Sequence, residues 1–436
     1  MATFPAESES LELRQKLAYA CRILAANGQN DAIYVHVTHR LPGAQTCWMK
    51  PASIELAVVA ASDHCKSPIS SYLSGGVTMA TAETNIEPAL NAFYADVAAE
   101  DLQPLWTQTR NLMTAHPVPA SLPWLWRWER LKALAERAME LITIERGGER
   151  RVLSLSNPGL GGLPFATPTL WGAIQCLNPH EKAPAHRHSP GALRFVIEGD
   201  GVWTTVNGDA CDMHPGDLIL TPGWTWHDHC NDGDSSMLWF DGLDMPTVYT
   251  LDAMFFEEYD DLNQQVNGPH NLSEQIFAGR GVLPLGTNAQ TRHSPLLVYR
   301  RADTVAALES LLAVRGGRMA SIEFVNPTTG ASVMPTMGCE MHRVVPGGHT
   351  QPYRKVGSSI FVVFQGSGYS VINGQRFDWG RGDMFVVPSW AAVEHCASVT
   401  ADLFAVTDRP MMQALALFRE QYLDQPQQVT RHFAAK

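Results

Sequence analysis

Apolar positions along the chain change period twice. Leu13, Leu17, Cys21 and Leu24 recur at helical spacing between Ser10, which can cap a helix, and Gly28, which can stop one. Residues 10–27 are therefore expected to be helical. Short strands are expected at Ile33–Val37 and around Cys47–Met49, either side of a Leu41-Pro42-Gly43 turn. From Ser62 to Thr84 small and polar residues without a sustained period predict a linker. Helical spacing returns at 88–115 and at 129–143, the latter with a stripe of Leu131, Leu134, Ala138 and Leu141. Between them, Trp124, Trp126 and Trp128 read as core packing or an oligomer contact. After Arg150 the pattern shortens to β-like runs punctuated by Gly, Pro, Asn and Asp, as far as Asp244 and again from Met334 to Val406. Many short strands with regular turns suggest barrels or sandwiches. Two further helices are expected, at Ala302–Ala313 and Pro410–Tyr422.

The two β regions repeat one another. Aligning 195–229 with 361–395 pairs Gly199 with Gly366 and Gly201 with Gly368. After a one-residue offset it pairs Asn207-Gly208 with Asn373-Gly374, Gly216-Asp217 with Gly382-Asp383, Pro222 with Pro388 and Trp224 with Trp390. Asn-Gly is a hairpin turn signal, and this many turn residues in step indicate a duplicated β unit.

Composition narrows the function classes. The 436 residues carry a net charge of −12, with 45% hydrophobic and 17% charged residues. That is a globular composition without the basic face that general nucleic-acid binding needs. No apolar run approaches the ~20 residues of a bilayer span, and Met1–Ser10 lacks the features of a secretory signal. The eight Cys contain no C-x-x-C pair and read as free thiols, so a cytoplasmic location is expected.

Histidine spacing carries the chemistry. His186 and His188 lie two apart, on one face if the segment is a strand, and His227 follows the Gly-Asp turn and Pro222. Three neutral imidazoles leave open positions on a metal, and imidazole suits Fe, Zn, Cu or Ni alike. His229 is placed as a group beside this site. His180 and His214 lie outside the pattern and read as ordinary surface or hydrogen-bonded histidines. In the second unit the ligand positions fall on Tyr353, Lys355 and Val393, and His395 matches His229. That unit is expected to hold no metal and to act as a scaffold. Arg194 falls roughly where metal cupins, whose spacing this segment resembles, place a ligating Glu; its guanidinium fork could instead hold a carboxylate.

The spacing resembles the cupin superfamily, which implies a mainly β bicupin: two double-stranded β-helix jelly-roll barrels with helical N-terminal segments. Residues 86–436 further resemble the gentisate 1,2-dioxygenase family, including its salicylate and 1-hydroxy-2-naphthoate ring-cleaving relatives. The resemblance is carried by ERRVLSLSNPGL (149–160), TLWGAIQ (169–175), AHRHSPGALRFVIEG (185–199) and TPGWTWHDH (221–229). It implies non-haem Fe(II) on His186, His188 and His227, and cleavage of gentisate with O₂ to maleylpyruvate in aromatic catabolism. It assigns substrate contacts to Arg194, Trp171, Gln175, Ala173 and Arg150. His229 would act as acid or base, oriented by Asp241. The partners implied are a small aromatic hydroxy acid, O₂ and further copies of the chain in a homotetramer, with neither nucleic acid nor membrane.

Residues 11–56 instead resemble the start of the class II aldolase/adducin family, without its metal-binding His-x-His. The expected divisions are a truncated aldolase-like segment at 1–60, a linker at 61–85 and a helical arm at 86–148. The metal-binding cupin follows at 149–246, a connection at 247–330, and a degenerate cupin with tail helix at 331–436. Rival readings are a salicylate or 1-hydroxy-2-naphthoate dioxygenase, a non-catalytic bicupin, and a metal-dependent sugar or keto-acid isomerase. The aromatic wall at Trp171 and the missing Glu disfavour the isomerase.

Overall fold

The computed structural model describes residues 38–40, 46–49, 65–68, 83–143, 146, 151–279, 281–287 and 291–434. The chain divides into two compact units, Met1–Met113 and Thr114–Lys436.

In the first unit, β1 (Thr38–Arg40), β2 (Thr46–Met49) and β3 (Cys65–Pro68) form an antiparallel sheet in that order. The segment expected to be a linker thus contributes a strand, because Cys65–Pro68 pairs residue for residue with Thr46–Met49. The expected helix at 88–115 is two helices, Glu83–Ala99 and Leu105–Leu112. The chain turns between them, where Asp101 takes a positive φ and Pro104 has no amide to continue a helix. The helix expected at 10–27 and the strand at 33–37 lie outside the described residues. So does nearly all of the aldolase-like segment, to which the comparisons below lend no support.

The second unit holds two barrels, each made of two facing sheets. The strands of the first are β5 (Val152–Ser154), β6 (Trp171–Leu177), β7 (Lys182–His188), β8 (Ala192–Glu198), β9 (Val202–Val206), β10 (Asp209–Asp212), β11 (Leu218–Thr221), β12 (His227–Asn231), β13 (Met237–Leu243), β14 (Phe256–Glu258) and β15 (Val298–Tyr299). Their sheets run β10-β9-β12-β7-β14 and β15-β11-β8-β13-β6-β5. The second barrel repeats the plan with β16 (Met319–Phe324), β17 (Gly338–Val344), β18 (Tyr353–Lys355), β19 (Ser359–Gln365), β20 (Ser367–Ile372), β21 (Gln375–Gly380), β22 (Met384–Val387), β23 (Val393–Ala397), β24 (Ala401–Thr407), β25 (Glu420–Tyr422) and β26 (Arg431–His432).

The repeat found in the sequence is a repeat of backbone. Asn207 and Asn373 take φ of 47° and 48°, and Trp224 and Trp390 take 65° and 62°. Each Asn side chain accepts a hydrogen bond from the amide of Trp226 or Ala392, at 2.9 Å in both barrels. Gly199 and Gly366 are required: both have positive φ, and a Cβ would meet the carbonyl oxygen of Ser236 or Thr400 at 2.3 Å.

The six-stranded sheets of the two barrels share one core. Ile174, Leu193, Phe195 and Phe240 face Ile360, Val362 and Phe404, and the Phe195 and Phe404 rings stack 4.1 Å apart. The other face of the first barrel's sheet looks into its own lumen, and because side chains alternate, one strand serves both. In β6, Gly172 and Ile174 turn to the partner barrel and Cys176 to the Trp128–Leu141 helix, while Trp171, Ala173 and Gln175 turn inward. Burial on both faces explains why these strands read as apolar runs rather than alternating ones.

The barrels exchange edge strands, which the sequence pattern did not indicate. The Trp cluster forms strand β4 (Trp124–Trp126), which pairs with β22 of the second barrel. The following helix, Trp128–Leu141, then packs beneath the first. Reciprocally, β15 pairs with β11 of the first barrel, and the Arg301–Arg315 helix that follows it packs on β16 of the second. Both crossings are fastened by the Asp of the Gly-Asp turn. Asp383 accepts from the Trp128 amide and from Arg127; Asp217 accepts from the Arg301 amide and from Arg300.

Three expected elements are therefore corrected. The 86–148 arm contains a strand of the second barrel. The 247–330 connection contains β14, β15 and β16, each paired into a barrel sheet. The tail helix ends at Ala414, where Ala416 turns to positive φ so that β25 can lie on β18. Among the described residues no helix is long and apolar enough to cross a membrane.

Candidate active site

The lumen of the first barrel is packed at one end by Val196, Met213, Met237 and Trp239. Towards the other end lies a cavity of about 310 Å³, lined by residues from both sheets and from the chain after β13.

His186 and His188 project into it from β7. His227, the cross-strand partner of His186, projects from β12. One ring nitrogen from each lies within 4.8 Å of those of the other two. Their tautomers follow from their partners. Nδ1 of His186, His188 and His227 lies 3.0, 2.8 and 3.0 Å from the carbonyl oxygens of Pro184, Pro190 and Thr225. A carbonyl only accepts, so each Nδ1 carries the proton and each Nε2 keeps a lone pair. Burial then favours the uncharged rings: the His188 pKa is pushed down to about 4 by burial and by His186. His227 is held well below its ordinary value by burial and by Arg194. Three neutral imidazoles gathered in this way, each oriented by a backbone carbonyl, could hold a metal ion.

Arg194, on β8, is 4% exposed. One guanidinium NH₂ donates to Thr221 Oγ1, and Nε lies 3.6 Å from Asp241 Oδ1 without a hydrogen bond of its own. Asp241, opposite Arg194 on β13, accepts instead from the Trp239 indole at 3.0 Å. Burial pushes the Asp241 carboxyl up to about 6, against the pull of Arg194 and of the Trp239 hydrogen bond. The cavity is therefore lined by a buried cation whose Nε–H, beside Asp241, makes no hydrogen bond.

Asp241 was expected to orient His229; the structure gives that role to Thr204, whose hydroxyl lies 2.8 Å from His229 Nδ1. Asp241 is committed to Arg194 and Trp239. His229 is 2% exposed, and burial, then Arg194, hold its pKa well below the usual value. It presents a neutral ring to the cavity, not one that titrates near neutrality.

Trp171 and Gln175 line the cavity, and Trp171 is fixed by an indole hydrogen bond to Ser154. Ala173 lies between them on the same inward face, fully buried and opposite Asp241. Arg150 lies outside the described residues. Its neighbour Arg151 is buried and forms a two-pronged pair with Glu181, at 2.9 Å for each prong. His180 and His214 are surface residues near Asp234 and Asp200. In the second barrel Tyr353 stands opposite Val393 as His186 stands opposite His227, and among the described residues no second metal cluster occurs.

Sequence reasoning missed Thr204, Thr221 and Trp239, and also Met254 and Phe256, which wall the cavity from the stretch read as a connection. Thr204 is the register partner of His229, a pairing that only the folded sheet reveals. Phe256, whose ring stacks on His186 at 5.3 Å, had no sequence signal either.

Residues 173–243 match the cupin domain family model. A gentisate 1,2-dioxygenase of Streptomyces sp is 46% identical over 352 residues, covering 79% of this chain and 98% of that protein. The crystal structure of a salicylate 1,2-dioxygenase from Pseudaminobacter salicylatoxidans superposes with a TM-score of 0.74 at 45% identity, covering 77% of this chain and 98% of that one. A structure of that enzyme described as an adduct with gentisate gives 0.75 at 44% identity, with 78% and 95% covered.

Proposed function

The chain belongs to the gentisate 1,2-dioxygenase family of ring-cleaving oxidoreductases, and from that premise we propose that it binds Fe(II) on His186, His188 and His227 and converts gentisate and O₂ to maleylpyruvate. One observation supports this most: a buried arginine with an unused N–H shares a small cavity with three imidazoles whose lone pairs converge. An aromatic acid with a hydroxyl beside its carboxylate answers both features.

Iron(II), when bound, supplies the redox chemistry that lets a closed-shell ring react with O₂. The protein does the rest by holding and orienting. Arg194 receives the carboxylate, a charge-assisted contact strengthened by burial. Trp171 and Ala173 flank the ring. His229, held by Thr204, offers its second nitrogen to a polar substituent, and its neutral state avoids placing a further cation beside Arg194. Phe256 and Met254, both exposed on their outer side, form the remaining apolar wall. In this reading the enzyme is cytoplasmic and homotetrameric, the latter checked by light scattering.

Salicylate is the second reading, favoured by the 45% identity to a salicylate 1,2-dioxygenase. Oxygen uptake by anaerobically iron-loaded protein, with the two acids offered separately, distinguishes them. Gentisate is expected to give uptake with the maleylpyruvate absorbance. Uptake with salicylate alone selects the second reading, and none with either acid despite bound iron overturns both.

A further inference from the structure

Between the two metal-site histidines of β7 stands Arg187, which points away from the cavity. Its guanidinium lies between two indoles, 4.4 Å from the Trp224 ring centre and 4.3 Å from that of Trp226. Its Nε donates to Glu257 at 2.7 Å, and Glu257 is its cross-strand partner on β14. Each contact reaches another part of the metal site. Trp226 immediately precedes His227. The Trp224 amide donates to the His188 carbonyl at 2.8 Å. β14 also carries Phe256, which stacks on His186.

The second barrel supplies an internal control. Arg354 occupies the equivalent place between Tyr353 and Lys355. It stacks on Trp390 at 4.8 Å and donates to Gln421, its partner on β25. In the plain barrel the arginine thus meets one indole and one neutral acceptor. Only the barrel with the histidine triad adds a second indole, where the other has Ala392, and a carboxylate, where the other has Gln421.

We propose that Arg187 is a positioning residue for the metal: stacked between Trp224 and Trp226 and pinned to Glu257, it fixes β7 and the approach to His227 so that the three imidazoles converge. The inference rests on the reading of His186, His188 and His227 as metal ligands. Outer groups that orient ligands typically change metal affinity by about 10–100-fold when removed. A planar guanidinium between two rings is not reproduced by an ammonium.

The test measures Co(II) affinity of the full-length protein by competition with a chromophoric chelator, beside thermal unfolding of each variant. Arg187→Met is expected to weaken binding by about 10–100-fold, Arg187→Lys to recover part of the loss, and Arg354→Met to leave binding within about 2-fold of the parent at a comparable loss of Tm. Unchanged affinity in Arg187→Met overturns the proposal; so does an equal weakening by Arg354→Met, which makes the effect general to the barrels. Where Arg187→Met does not fold, Trp226→Ala and Glu257→Gln, which copy the second barrel, carry the same expectation, and parental affinity in both overturns it. A parent protein that binds no Co(II) removes the metal reading itself, whereas binding that ignores Arg187 removes only this inference.

Discussion

Arg194 shows how much a single buried side chain can decide. Its charge is compensated by Asp241 at 3.6 Å rather than cancelled by a close ion pair, and its Nε–H has no protein acceptor. A buried donor without an acceptor is costly, and a substrate carboxylate held by Arg194 would supply one. Arg194→Met is expected to lower kcat/KM for the aromatic acid by about 10–150-fold, the range for a lost hydrogen bond to a charged group. Bound metal should stay at the parent level. Steady-state oxygen uptake with parallel metal analysis checks this, and an unaltered kcat/KM would contradict the assignment. The residues of this site were legible in the sequence to different depths. His186, His188 and His227 stood out because a strand period and a turn pattern fixed their spacing. Asp241 was visible as a residue but not as a partner. Its link to Arg194 and Trp239, and that of His229 to Thr204, depends on cross-strand register, which no local pattern encodes.

At the scale of elements, the duplicated turns were the most readable part of the chain. Asn-Gly and Gly-Asp sit where backbone geometry admits few residue types. What the sequence hid was where the edge strands go. Trp-Leu-Trp at 124–126 has the composition of a strand, but nothing in it names β22 as a partner 258 positions away (384 − 126). The Asp of each Gly-Asp turn serves two purposes: it shapes the turn and anchors the helix that follows the exchanged strand. Asp383→Ala leaves the Trp128 amide without its acceptor and Arg127 with only the Asp378 carbonyl. It is expected to destabilise the protein by about 1–3 kcal/mol while leaving the His186, His188 and His227 geometry in place. A lower Tm with parental Co(II) affinity is the outcome that fits. A loss of affinity at unchanged Tm would mean that the crossing governs the metal site directly.

For the molecule as a whole, a second pair of aspartates ties the barrels together. Asp244, at the end of the first, accepts from the Thr336 hydroxyl of the second, and Asp408, at the end of the second, accepts from the Thr169 hydroxyl of the first. Burial pushes Asp408 up to about 6, outweighing its hydrogen bonds to Thr169 and Ser358. A carboxyl whose folded pKa lies above its unfolded value holds a proton only in the folded state between the two, about 3.8 and 6. Its contribution therefore favours folding at the acid end of that window and fades as pH rises through it. Asp408→Asn removes that dependence. Its stability relative to the parent is expected to be greater at pH 7 than at pH 4, as read by denaturant unfolding at both. A gap independent of pH would contradict the assignment. The exchange of edge strands also sets an order of events during synthesis. Trp124 leaves the ribosome 262 residues before its partner Val386 (386 − 124). At roughly 5–20 residues per second that is a wait of about 10–50 s. During that wait a tryptophan-rich edge has no mate within its own chain, and a neighbouring nascent chain offers the same sequence. Translation speed thus becomes a variable of correct assembly, and the hazard it controls is a strand lent to the wrong copy.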